Sequence, residues 1–188
     1  EIIPFKPALG ILKKEKVKKD NAVKKFNLNQ IYIFYPAQFW AHKNHVYILE
    51  AIYEIKKNYK VPVFAKFTGF DQGNLNFLKS YIYKLGIQDR VNFYGFVDNH
   101  ELRALYKKSL ALVMPSFFGP TNIPPLEAFY LGVPVIYPSD SELREQVGNA
   151  ALSMDLSDPN SLVKLILNLI KDKKISTRLK ILGKKRLD

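Results

Sequence analysis

Glu127 stands inside a short apolar segment, Ile123 to Leu131, that opens with Pro124 and Pro125 and is stopped by Gly132 and Pro134. Proline is at home in a first helical turn, where backbone N–H groups have no intrahelical acceptor. The segment therefore reads as a helix. A turn of Pro115, Ser116, Gly119, Pro120, Thr121 and Asn122 leads into it, and the apolar run Leu110–Met114 before the turn reads as a buried strand. The N–H groups of Asn122 and Ile123 would lie at the positive end of a helix above a strand, where open α/β sheets bind phosphates and sugar oxygens. A carboxylate one turn further in has two acceptor oxygens and no proton to give. It is either a surface group favoured by the helix dipole or a hook for ligand hydroxyls.

The segment Tyr35-Pro-Ala-Gln-Phe-Trp-Ala-His-Lys-Asn-His after an earlier strand contains no glycine, so neither a dinucleotide fingerprint nor a P-loop is present. Its charge is Lys43, read either as a solvated surface lysine or as a partner for an anion. His42 and His45 lack a neighbouring carboxylate or cysteine and make a poor metal site. Phe39 and Trp40 read as packing or loop anchors, or as contacts to an acceptor. Gly69-Phe-Asp-Gln-Gly73 is a tight turn after the next strand. Gly95-Phe96-Val97 follows the third. The chain has no D-x-D metal motif; Asp140-Ser-Glu142 comes nearest and is explained by a capping box on Ser139 and Glu142.

Pro115-Ser116, Gly119, Pro125-Leu-Glu127-Ala128, Gly132 and Pro134-Val-Ile136, at these spacings, resemble the donor-site signature of family 4 glycosyltransferases. These are retaining enzymes of GT-B fold that transfer a sugar from a nucleoside diphosphate. The resemblance spans nearly the whole chain, as the second, donor-binding half of the family's two Rossmann-like domains. It implies that Lys43 neutralises the diphosphate, that main chain at Gly95, Phe96 and Val97 reads the nucleobase edge, and that Glu127 accepts the ribose hydroxyls. The helix starting at Ile123 adds its dipole. Two positions depart from the pattern. Gln38 stands where the family has an arginine, and Gly119 where it has a second acidic residue facing the donor sugar. Thr121 and Asn122 could replace that residue, or Gly119 leaves room for a different sugar.

The function so implied is transfer of a sugar, with retention, from a nucleoside-diphosphate sugar to a saccharide or lipid-linked acceptor. No metal and no cofactor is expected beside the donor. The acceptor would meet an N-terminal domain absent from this piece. The alternative is a module that binds a nucleotide sugar without catalysis.

Composition sets the outer bounds. The chain has 188 residues, 47% of them hydrophobic, and no cysteine, enough for one real core and no disulfide. Lys and Arg exceed Asp and Glu by 29 − 17 = 12. A basic balance suits phosphorylated substrates or an acidic membrane surface, while no recognition motif points to nucleic acid. No apolar run approaches the ~20 residues of a membrane helix. The expectation is a cytoplasmic protein, with peripheral contact at the inner membrane face.

These residues need a frame to hold them. Residues 1–29 read as a linker and basic lead-in, and 30–188 as the donor-binding domain. Strands are expected at Gln30–Tyr35, Val61–Thr68, Arg90–Tyr94, Leu110–Met114, Val133–Tyr137 and Ala150–Met154. Between and after them come helices at Lys43–Asn58, Leu75–Leu85, Asp98–Lys107, Ile123–Leu131, Ser139–Val147, Asp158–Ile170 and Lys174–Lys185. Asp98 with Glu101 forms a capping box, and Asp158-Pro159 an N-cap with proline after it. The alternation gives an α/β fold: a doubly wound, mostly parallel six-stranded Rossmann-like sheet with helices on both faces, one half of a GT-B fold.

Overall fold

Tyr32, Ile33, Phe34 and Tyr35 are all buried, without the alternation of a sheet that has one wet face. Continuous burial of this kind belongs to parallel strands covered by helices on both sides. The structure is a computed structural model that describes residue 10 and residues 19–118, 122–140 and 144–187. Its strands are β1 (Ile31–Pro36), β2 (Val63–Thr68), β3 (Val91–Phe93), β4 (Ala111–Val113), β5 (Val135–Pro138) and β6 (Ala151–Met154). They form one sheet in the order β3-β2-β1-β4-β5-β6, and every neighbouring pair is parallel. Ile33 and Phe34 of β1 face Ala111 and Leu112 of β4. The chain builds outward from β1 to β3, then returns to place β4 on the other side of β1. Right-handed crossovers in opposite directions send their helices to opposite faces.

The helices are α1 (Lys19–Lys25), α2 (His45–Asn58), α3 (Leu75–Leu85), α4 (Asn99–Lys108), α5 (Ile123–Leu131), α6 (Pro159–Lys171) and α7 (Lys173–Leu187). Helix α2 packs on α3 and α6, whereas α4 packs on α1 and α5, and α5 on α7. Local chemistry fixes several ends. The Asp98 side chain accepts from the Glu101 N–H at 2.8 Å, and Glu101 returns the bond to the Asp98 N–H. The Asp158 side chain accepts from the N–H of Asn160 at 2.9 Å, with Pro159 as first helical residue. Helix α5 spans the expected residues and ends on Gly132 at φ +67°, a conformation that favours glycine.

One shifted start bears on the site. Helix α2 begins at His45, because Ala41–Lys43 forms a 3-10 turn and Asn44 takes a left-handed conformation, φ +53°. Asparagine tolerates that region better than most residues, so the chain changes direction between Lys43 and the helix. The capping box on Ser139 and Glu142 lies outside the described residues at Glu142, as do Gly119 and Thr121. Of the lead-in, Ala22, Phe26 and Leu28 are buried in the same core as the sheet. No helix among the described residues is long and apolar enough to cross a membrane.

Candidate functional site

The strand order reverses between β1 and β4, and open α/β sheets take their ligands in the crevice outside the carboxyl ends at such a point. Here the two exits are stitched together. The Tyr35 hydroxyl, at the end of β1, donates to the Lys43 carbonyl at 3.2 Å and shares a 3.1 Å hydrogen bond with the Ser116 hydroxyl beyond β4. The Phe117 N–H donates to the His42 carbonyl at 3.2 Å. Tyr35 and Ser116 are buried, and burial raises the Tyr35 pKa above its ordinary value, so the hydroxyl keeps its proton. Lys43 is thereby held on a fixed turn. Partial burial pushes its ammonium below the usual lysine pKa, a cost that a bound anion would offset.

His45, the first residue of α2, is 1% exposed inside a box made by the rings of Tyr35, Phe39 and Phe67, at centroid distances of 4.9, 5.1 and 5.2 Å. Neither ring nitrogen has a hydrogen-bond partner among the described residues. Burial, helped by the charge of Lys43, pushes its pKa down to about 3, so it is neutral at pH 7. Phe39 is therefore core. Trp40 is not: it lies exposed over His42. No cluster of three potential metal ligands occurs among the described residues.

On the β2 and β3 side, a groove of about 290 Å³ is lined by Gln38, Phe70, Gly95, Phe96 and Val97, among others. Main-chain bonds join the loops that form it. The Gly69 N–H donates to the Gly95 carbonyl at 2.9 Å, and the Phe39 N–H to the Phe70 carbonyl at 3.0 Å. A Cβ on Gly69 would stand 2.4 Å from the Ala37 carbonyl oxygen, so only glycine lets the exits of β1 and β2 approach so closely. The Asp71 carboxylate in the same turn accepts from the N–H groups of Leu75, Gly73 and Asn74, and these bonds lower its pKa.

On the β4 side stands helix α5. Glu127 is 6% exposed, and its Oε2 accepts from the Tyr106 hydroxyl at 2.8 Å. Burial and the adjoining carboxylate raise the Tyr106 pKa well above its ordinary value, so it keeps its proton and donates it to Glu127. Of the two readings of Glu127, the surface one is thus removed. Asn122 is buried as well. Its side chain does not cap α5 but donates to the Tyr137 hydroxyl, and its carbonyl accepts from Gln146 at 2.6 Å. Ile123, the first residue of α5, is 39% exposed.

The fold thus brings Gln38, Gly95, Phe96 and Val97 to one groove, and ties the Lys43 turn to the chain that leads into α5. The partners Tyr106, Tyr137 and Gln146 were not picked out from sequence, and Tyr35 and Ser116 were named there without the bond between them. Tyr106 gave one signal: it shares an apolar helical stripe with Leu102 and Leu105, and a buried tyrosine needs an acceptor.

A model of the family described as Glycosyl transferases group 1 matches residues 16–186. An uncharacterized glycosyltransferase of Methanocaldococcus jannaschii is 28% identical over 146 residues, 77% of this chain and 33% of that protein. An O-antigen chain mannosyltransferase of Salmonella typhimurium is 29% identical over 130 residues, 69% of this chain and 36% of that protein. Among solved structures, WaaG, a glycosyltransferase involved in lipopolysaccharide biosynthesis, aligns with a TM-score of 0.81 at 14% identity over 100% of this chain and 52% of that one. Anabaena HepE in complex with UDP-glucose gives 0.77 at 18% identity, over 95% and 50%. The chain therefore spans about a third of these two relatives and about half of the solved chains. With nearly all its residues matched and the parallel sheet of a GT-B half, the chain belongs to the glycosyl transferases group 1 family.

Proposed function

We propose that this chain is the donor-binding half of a glycosyltransferase that moves a sugar, with retention, from a nucleoside-diphosphate sugar to a saccharide or lipid-linked acceptor. The observation that carries the reading is Glu127: a buried carboxylate in the helix above the switch point, oriented by a protonated tyrosine that donates to it. A carboxylate has two acceptor oxygens, suited to the two hydroxyls of a ribose. Lys43 offsets the diphosphate charge together with the positive end of α5. Gln38 adds hydrogen bonds there but no charge. The groove at Gly95, Phe96 and Val97 takes the base through main-chain groups. The likeness in fold to HepE, solved with UDP-glucose, supports a nucleotide sugar as the ligand class.

In this reading transfer also needs an acceptor-binding domain beyond the donor half, and no divalent metal is needed for donor binding. Calorimetry with a panel of nucleoside diphosphates tests the donor site. Affinity should survive EDTA, whereas a loss of about tenfold, ~1.4 kcal/mol, speaks against Lys43 and the helix end as the neutralising groups. Glu127→Gln should weaken binding by about 1.5–3 kcal/mol, as for a hydrogen bond to a charged group. A 2′,3′-dideoxy nucleotide should lose much less. Equal losses for both ligands would show that Glu127 acts only through the helix.

A further inference from the structure

Three rings from two strand exits stack over one another beside Lys43. The His42 ring lies 4.7 Å from Phe118, tilted by 18°, and 6.1 Å from Trp40, tilted by 25°. Trp40 is 44% exposed and Phe118 59%. The main-chain bond from Phe117 to the His42 carbonyl fixes the two loops in this register. Large rings left in water at a ligand crevice mark a binding surface. The nucleobase groove lies elsewhere, at the exits of β2 and β3, on the far side of β1.

Resting on the donor-half reading above, we infer that Trp40, His42 and Phe118 form a stacking platform for an uncharged pyranose ring of the acceptor saccharide. The charge pattern selects this occupant. In a chain with a formal charge of +12, the platform carries no ionised group of its own. Burial, and then the neighbouring Lys43 charge, lowers the His42 pKa and holds the imidazole neutral at pH 7. A sugar ring offers a C–H face to aromatic rings and a rim of hydroxyls. A neutral imidazole has one donor and one acceptor nitrogen to meet that rim. An anion would find its cation at Lys43, at the edge of the platform, and none on the rings themselves. Continuity with Lys43 places the bound ring next to the proposed leaving group, where an acceptor must stand.

Trp40 is the sole tryptophan of the sequence, so its fluorescence reports on the platform directly. The chain is titrated with mannotetraose and with maltotetraose, and separately by calorimetry with UDP, GDP and dTDP. At least one tetrasaccharide should change Trp40 emission saturably. Phe118→Leu, which keeps bulk but removes the ring, should raise the midpoint at least fivefold. Affinity for the diphosphate should stay within twofold, and thermal unfolding of the variant should match the wild type. The inference is overturned if neither tetrasaccharide alters the emission, or if the variant binds as wild type does. Diphosphate binding without a tetrasaccharide response sinks the platform alone. A tetrasaccharide response without diphosphate binding keeps the platform and sinks the donor-half reading.

Discussion

Two buried basic side chains, one on the sheet and one on a helix packed against it, are treated in opposite ways. Lys66, on β2, is fully buried, and its ammonium donates to the Phe26 carbonyl at 2.8 Å and to Gln30 Oε1 at 3.0 Å. Asn92 Oδ1 and the Tyr94 hydroxyl stand at 3.3 and 3.2 Å, and the ammonium lies 5.0 Å from the centre of the Tyr32 ring. His45, at the carboxyl edge, has three aromatic neighbours and no hydrogen bond among the described residues. The chemistry of the two groups explains the contrast. Burial lowers the Lys66 pKa only to about 8, so the charge persists at pH 7 and demands acceptors. An imidazole starts near neutrality and sheds its proton when buried. The first region uses polarity to fasten the lead-in to the sheet. The second leaves polarity unspent near the crevice.

The largest expected effect tests the satisfied side. Lys66→Met leaves buried acceptors without their donor and should cost about 3 kcal/mol in denaturant unfolding. Amide exchange over residues 26–30 should quicken most, since Phe26 and Gln30 lose their anchor. An unchanged midpoint would mean that the hub is dispensable.

Next comes Tyr106→Phe, which removes the donor to Glu127 and should cost about 2 kcal/mol, read by thermal unfolding at pH 7. A loss as small as that of a surface substitution would show that the carboxylate is satisfied without Tyr106.

The unpartnered side is tested by acid. The folded His45 pKa, about 3, lies below its ordinary value of 6.5, so the unfolded chain takes up the proton first. Its contribution is therefore complete above pH 6.5 and lost as pH falls toward 3. Near pH 5.5 the loss should be about 1.4 kcal/mol. His45→Leu should flatten that slope between pH 6.5 and 5.5. An equal slope in the variant assigns it to other groups.

The smallest effect separates two uses of Asn122. Because its side chain bonds Tyr137 and not the helix end, Asn122→Ala should lower stability by about 1 kcal/mol, the worth of one neutral hydrogen bond. Tyr137→Phe in the same background should add nothing further, whereas additive losses would uncouple the pair.

Several elements were legible because their signals are local. The range of α5 followed from two prolines and Gly132, and the caps of α4 and α6 from Asp98, Glu101 and Asp158, since capping involves residues within one turn. The sheet class followed from unbroken apolar runs alternating with helical ones. The candidate site was legible as a pattern of types: lysine after β1, glycine after β3, glutamate in α5. Whether Glu127 was exposed or buried was not, because the answer depends on Tyr106, 21 residues earlier in the chain. The Ser116–Tyr35 bond spans 81 residues and the Lys66–Phe26 bond 40. No periodicity encodes such pairs. They arise only when β4 returns to lie beside β1 and the lead-in folds under β2, which is a choice of tertiary packing.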